Sequence, residues 1–438
     1  MNDPISTPAG AGRGVDRRDF VRTAAVLGTL PLVAPVWGST RADDRLKVGL
    51  IGCGGRGTGA AANAMAADPG VVIWAMADLF PERIERSVNQ LVENADETRV
   101  LVAPERRFVG FDAVDQLLAT DIDVVILATP PGFRPLQLEK AVAAGKHVFT
   151  EKPMAVDVPG AKRAMAAAKA AKEKNLAMVS GFCWRYSKPE QAIYGRINDG
   201  DLGDIYAGHS TYHSGPLGTQ ARKADWSDME FQLKNWWHFN WLAGDIIVEQ
   251  ACHSVDKLNW AKNNETPVKC VSIGGRGNRE GDERGDVYDH FTAIYEYADG
   301  SRNILTCRQQ ANCSNDNTDW VAGSKGLGFI NGWAPSRTRL EYNDGRPTWS
   351  YKGPTPNMYE VEHQHLFQAI RDGNPVNDGD FMMQSTLMSI MGRDAAYTGQ
   401  TLTWEDLMKS EQVLGPSNLE WGPLPEVVVP VPGRTRFA

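Results

Sequence analysis

The segment His147–Asp157, "HVFTEKPMAVD", closes an apolar run on adjacent Glu151 and Lys152, and "EQACH" sets Glu249 four residues before His253. A lysine held partly out of water can donate to an oxygen or accept a proton. A surface lysine paired with Glu151 is the alternative for that fragment alone. Four-residue spacing places Glu249 and His253 on one helical face, where an imidazole beside a carboxylate suits acid–base work; a core histidine is the plainer reading. Upstream, "VGLIGCGGRG" sets Gly52, Gly54 and Gly57 in a G-x-G-x-x-G pattern, with Gly55 and Arg56 inside the same loop. Between a strand and a helix, such glycines permit a tight turn and let the backbone approach a pyrophosphate at the helix N-terminus. An ordinary strand-to-helix turn would also explain them.

The elements that must position these residues can be read from periodicity. From Leu46 to about Gly181, the short apolar runs "LKVGLIG", "VVIWAMAD", "DVVILATP", "HVFTEKP" and "LAMVSGF" alternate with Ala-rich helical patterns. That alternation predicts an α/β fold opening with a doubly wound, Rossmann-like parallel sheet. Its second strand ends on Asp78, 26 positions after Gly52, where a carboxylate can accept both ribose hydroxyls and repels a 2'-phosphate. NAD is therefore favoured over NADP, with Arg83 or Arg56 as the residues able to meet a phosphate. "LATPPGF" carries Thr129 and Pro130 to the carboxyl edge of the sheet, beside Glu151 and Lys152, where ligands of such folds bind. After Gly181 the texture changes to alternating strands, with "ADGS" at 298–301 as a hairpin turn, and to late helices over 359–371 and 381–398. The expected organisation is a leader over 1–42, a dinucleotide domain over 43–181 and a mixed, largely antiparallel α/β domain over 182–438. The proline-rich tail, 423–432, reads as a surface strap.

The 438 residues are 42% hydrophobic and carry a net charge of -8, which becomes -10 without the leader. A broad basic face for nucleic acid is not expected. In the leader, "DRRDFVR" precedes a charge-free run from Thr23 to Thr40 that Gly28, Pro31 and Pro35 interrupt, and "TRA" follows. This pattern resembles a twin-arginine export signal more than a spanning helix, and predicts a folded passenger delivered to the periplasm with no membrane span in the mature chain. Six cysteines show neither CxxC pairs nor dense spacing, so buried thiols are expected rather than bridges.

Through "GLIGCGGRG", "ATPP", "AGKHVFTEKP", "SGFCWRYSKPE" and "GDIIVEQACHSVDKLNW", the chain resembles the Gfo/Idh/MocA family of sugar-modifying oxidoreductases, from about Lys47 to near Gly399. The resemblance implies a second domain with an open, largely antiparallel sheet that often forms a homo-oligomer interface. It gives Lys152 contact with the reacting substrate, often with a cis bond before Pro153, and His253 the role of general acid or base. Glu249 stands where the family carries Asp, one methylene shorter, and Arg134 falls where many relatives place a histidine. Asp256 is expected to cap or pair rather than react.

The aromatic stretch Tyr212–Trp241 is insertion-like. Tyr212, Trp236, Trp237 and Trp241 offer flat faces for sugar C–H groups, while Arg185, Tyr186, His213 and His238 can bind hydroxyls; an aromatic core is the alternative. His213, His238, Glu249, His253 and His290 lack a spacing such as HxxxH, so no metal is expected. The function implied is NAD-dependent hydride transfer from a sugar, cyclitol or sugar derivative with a tightly held cofactor. The alternatives are a glycoside hydrolase that oxidises, eliminates and re-reduces, and a non-catalytic sugar or NAD sensor. An exported enzyme must keep its cofactor and return each hydride, because free NAD is not regenerated outside the cytoplasm.

Overall fold

The protein is described from a computed structural model over residues 44–437. The leader, with Arg17 and Arg18, lies outside them. Six parallel strands form the first sheet: β1 (Leu46–Ile51), β2 (Val71–Asp78), β3 (Arg107–Val109), β4 (Val124–Leu127), β5 (His147–Thr150) and β6 (Met178–Ser180). Their order is β3-β2-β1-β4-β5-β6. The central strands are buried on both faces, as parallel strands covered by helices must be, so they read as unbroken apolar runs. β3, three residues long, has no such run and is carried by pairing with β2. Ala161, Ala164, Ala168 and Ala171 give the helix Val158–Glu173 a thin buried face, and Asp157 caps it by accepting from the Gly160 amide.

The second sheet holds β7 (Ile205–Ser214), β8 (Lys269–Gly275), β9 (His290–Glu296), β10 (Arg302–Gln309), β11 (Asp319–Gly323), β12 (Gly326–Ile330), β13 (Arg339–Tyr342), β14 (Trp349–Ser350) and β15 (Leu402–Thr403). Its order is β14-β13-β12-β11-β7-β10-β9-β8-β15, antiparallel except where β10 meets β7. The hairpin at 298–301 joins β9 to β10 as the turn residues require. Burial alternates along β9 and β10 because one face only is covered. There Ala293, Tyr295, Leu305 and Cys307 meet Met388 and Met391 of the helix Gly379–Thr398.

Residues late in the chain also complete the first layer. Leu366 and Phe367, on the helix Met358–Arg371, share a core with Val48, Leu50 and Ala60, and the Met178 amide donates to the Val376 carbonyl. Cys53, Cys183, Cys252, Cys270 and Cys307 are buried free thiols, and Cys313 is an exposed one. Among the described residues no helix is long and apolar enough to cross a membrane.

Candidate active site at the carboxyl edge of the parallel sheet

β1 hands the chain to the helix Gly55–Ala67 through the glycine loop. Gly52 has φ +94°, and a Cβ there would stand 2.7 Å from the Ala128 carbonyl carbon. A Cβ on Gly57 would lie 1.9 Å from the Gly52 oxygen, whereas Gly54 and Gly55 face open space. Gly54 caps the helix without any side-chain bond, so the first-turn amides keep their donors and the positive helix end is uncovered. An open cradle with free amides fits the pyrophosphate of a dinucleotide. At the end of β2, the Asp78 carboxylate accepts from the Cys53 amide at 2.7 Å and the Phe80 amide at 3.0 Å. Burial raises its pKa, while Arg83 and the amides act in the opposite direction. Gly57→Ala is expected to cost on the order of 2 kcal/mol of stability by overpacking. Gly55→Ala should leave melting unchanged and weaken dinucleotide uptake alone, a contrast that calorimetry of both variants would read.

Arg56 turns from the loop to Glu151, with which it pairs, and to Glu362 at 3.2 Å, its guanidinium lying 4.8 Å over the Tyr359 ring. It thereby joins the glycine loop to the lysine segment. Across the cleft floor, Thr129 donates to Gln137 at 2.6 Å, and Arg134, 1% exposed, donates to the carbonyls of Thr129 and Pro153. Pro130 follows in the same loop. Burial lowers the Arg134 pKa to about 10, and it ties the 129–133 loop to the Lys152–Pro153 peptide, which is cis.

Lys152 Nζ lies 3.0 Å from Glu249 Oε1 and also donates to the Glu249 carbonyl. Burial is the largest single influence and would lower its pKa, but Glu249, with Cys252, Tyr212 and Glu151 behind it, together outweigh that and raise it, so the ammonium form persists. Glu249 is pushed up by its own burial, against the pull of Lys152 and Arg134, and its Oε2 is buried without a partner.

The continuous helix expected across "EQACH" is broken: one turn spans Ile246–Glu249, and a second helix starts at Cys252. Lys152 takes the carbonyl that the His253 amide would use in an unbroken helix, and that amide reaches Gln250 O instead, at 3.4 Å. His253 is half-buried, edge-on to Phe182 at 6.0 Å. Burial, then the charges of Lys152, Lys257 and Arg56, depress its pKa well below the ordinary value, so it is neutral. Its Nδ1 is buried without a partner, which leaves Nε2 as the nitrogen for a ligand. Tyr212, on β7, feels both Lys152 and Glu249, and burial raises its pKa.

The other residues expected to bind substrate have partners within the protein. Arg185 is spent on Asp256, with two contacts at 2.8 Å, and on Asn264, between the rings of Trp260 and Phe381. Tyr186 is buried and donates to Asp378 at 2.6 Å. His238, fully buried, sits between the Gly218 carbonyl and Arg279, and burial lowers its pKa to about 4. His213 follows Tyr212 on a strand and so points to the opposite face, where it meets Thr306 at 3.1 Å. Trp236 and Trp237 stack on each other at 3.9 Å, Trp236 within a cluster holding Phe80, Phe231 and Phe239. The pairing of Asp256 follows the expectation.

Glu362 was not legible as part of this region: a charged residue in an amphipathic helix reads as surface, and only its buried contact with Arg56 reveals it. Among the described residues no group of three or more His, Cys, Asp or Glu is placed to hold a metal ion.

Residues 46–180 match the model of an oxidoreductase family with an NAD-binding Rossmann fold, and residues 191–327 match a GFO/IDH/MocA C-terminal domain. An inositol 2-dehydrogenase of Rhizobium meliloti (strain 1021) is 23% identical over 342 residues, 76% of this chain and 92% of its own. A glycosyl hydrolase family 109 protein of Streptomyces coelicolor is 27% identical over 373 residues, 79% of this chain and 75% of its own. Among solved structures, the aldose-aldose oxidoreductase from Caulobacter crescentus complexed with glycerol has a TM-score of 0.65 at 21% identity, covering 82% of this chain and 99% of its own. That likeness is one of fold.

Proposed function

Because the chain belongs to the Gfo/Idh/MocA oxidoreductase family, we propose that Lys152, Glu249, His253 and Tyr212 serve the NAD-dependent oxidation of a secondary alcohol of a sugar, cyclitol or sugar derivative. The observation that carries this reading is the Lys152 Nζ held 3.0 Å from Glu249 Oε1, with His253 near enough for the Lys152 charge to help depress its pKa. When bound, NAD supplies the acceptor for the hydride that leaves the carbinol carbon. His253 Nε2 takes the hydroxyl proton, and the Lys152 ammonium donates to the same oxygen as negative charge develops on it. Glu249 keeps Lys152 charged and aimed. Tyr212, whose hydroxyl bonds no described residue, offers a further donor to the substrate. Asp78 at the ribose end, with Arg56 engaged by Glu151 and Glu362, supports NAD over NADP.

The cofactor is tightly held in this reading, and the protein works in the periplasm after export in folded form, as the paired arginines of the leader indicate. A homo-oligomer would form through the uncovered face of the second sheet, where Ile273 is 70% exposed. A second reading, hydrolysis of a glycoside by transient oxidation, is favoured by the unpartnered Glu249 Oε2. That oxygen can take the proton of a C–H acidified by a neighbouring ketone, after which the aglycone leaves, water adds and the hydride returns.

The test is to purify the chain without added cofactor, denature it, and assay nicotinamide dinucleotide per chain, then offer paired sugars and aryl glycosides. Near-stoichiometric NAD is expected. Aglycone release with no NADH accumulating would select hydrolysis; NADH accumulating with a ketone product would select the dehydrogenase. An empty protein that binds NAD only weakly would overturn tight retention.

A further inference from the structure

The tail after the helix Trp404–Lys409 follows a path that catalysis by the four residues above does not require. The Leu414 amide donates to Asp157 at 2.8 Å, and Gly415, at φ +96°, lies against the Trp241 indole. Trp421 then sets its ring 5.0 Å from Phe111 and 5.8 Å from Phe80. The Gly422 carbonyl accepts from the Met229 amide, and the Leu424 amide donates to Asp228. Farther on, the Pro430 carbonyl accepts from Tyr288, and the Gly433 amide donates to Thr398.

Two of these contacts flank the dinucleotide cradle. Phe80 is two residues past Asp78 and gives it an amide, and Phe111 follows Gly110, whose amide donates to the Asp78 carbonyl. Trp421 therefore stands on the two strand ends that frame the ribose-binding carboxylate. Trp421 is 46% exposed and its indole N–H bonds no described residue, so the side chain is anchored by two tilted ring contacts and otherwise open. At the other end the strap presses on Trp241, whose carbonyl lies so close to Gly132 that a Cβ there would approach it to 2.2 Å. Gly132 belongs to the loop beside Thr129 and Pro130.

We propose that Trp421 is a cofactor-binding residue: an aromatic platform for the adenine ring, held by the C-terminal strap, that slows escape of the bound dinucleotide. The inference rests on the NAD reading above and deepens it by assigning retention to a particular side chain. An exposed aromatic face suits a purine because stacking needs no hydrogen-bond pattern. The strap, anchored at Asp157, Asp228 and Tyr288, keeps that face in place without a conformational change at each turnover.

The full-length protein, wild type, Trp421→Ala and Trp421→Phe, would be loaded with NAD and its release followed after dilution into excess competitor; binding of AMP and of nicotinamide mononucleotide would be measured alongside. Trp421→Ala should release NAD about tenfold faster, since affinity changes of this kind fall mostly on the off-rate. AMP binding should weaken by a like factor and nicotinamide mononucleotide binding should not change, with Trp421→Phe close to wild type. Unchanged NAD release, or equal weakening of both half-ligands, overturns the assignment, because a merely structural loosening would act on both ends. A wild-type chain that takes up no dinucleotide would overturn the NAD reading itself.

Discussion

Replacing Lys152 by methionine is expected to lower kcat about a thousandfold, the usual scale for losing a donor to developing oxyanion charge, while bound NAD per chain stays at the wild-type level. Retention is expected because the cradle is built from Gly52, Gly54, Gly57 and Asp78, not from the lysine. The substitution also strands Glu249, buried beside it at 3.0 Å, and removal of one partner of such a pair costs about 3–5 kcal/mol. Lys152→Met with Glu249→Gln together should recover most of that stability and none of the activity. Chemical denaturation and single-turnover kinetics on the three variants separate the effects. Equal activity in Lys152→Met and wild type would remove Lys152 from the mechanism.

Substituting His253 by asparagine should reduce kcat by about a hundred- to ten-thousandfold, the range for a lost general base, and should remove the acid limb of the pH profile that belongs to it. The sign follows from its surroundings. Burial and the cations Lys152, Lys257 and Arg56 all disfavour imidazolium, so the folded pKa lies well below 6.5. The neutral base is fully present at neutral pH, and activity falls only as pH drops through that depressed value. The basic limb belongs to Lys152, which Glu249 holds above the ordinary lysine value. Glu249→Gln should therefore move the basic limb to lower pH and leave the His253 limb in place. A profile of kcat/KM against pH for the two variants reads both shifts. A wild-type acid limb above pH 6.5 would contradict the geometry around His253.

The parallel sheet was legible because its strands are buried on both faces and its loop glycines answer to local sterics. "LKVGLIG" and "VVIWAMAD" coincide with β1 and β2 to within a residue. The lysine segment was legible for the same reason: a strand end and a following loop place Lys152 at the ligand edge of any doubly wound sheet. The internal partners of the residues expected to bind substrate were not. Arg185, Tyr186 and His238 carry side chains suited to hydroxyls, but each found an internal partner, because a buried polar group left unpaired costs more than a surface one. Nothing local distinguishes an arginine that awaits a substrate from one bound to Asp256, 71 positions away.

The sequence by itself determined the fold class, the site of the dinucleotide cradle and the identity of the residues able to move a proton, since these depend on periodicity, backbone permissiveness and side-chain type. Tertiary structure decided which of those residues face one another. It broke the helix between Glu249 and His253 by spending the Glu249 carbonyl on Lys152, and the alternation of β7 turned Tyr212 toward the site and His213 away from it. It also carried the tail back to Phe80 and Phe111. Contacts across such separations depend on how whole layers pack, and a short window of residues holds no trace of them.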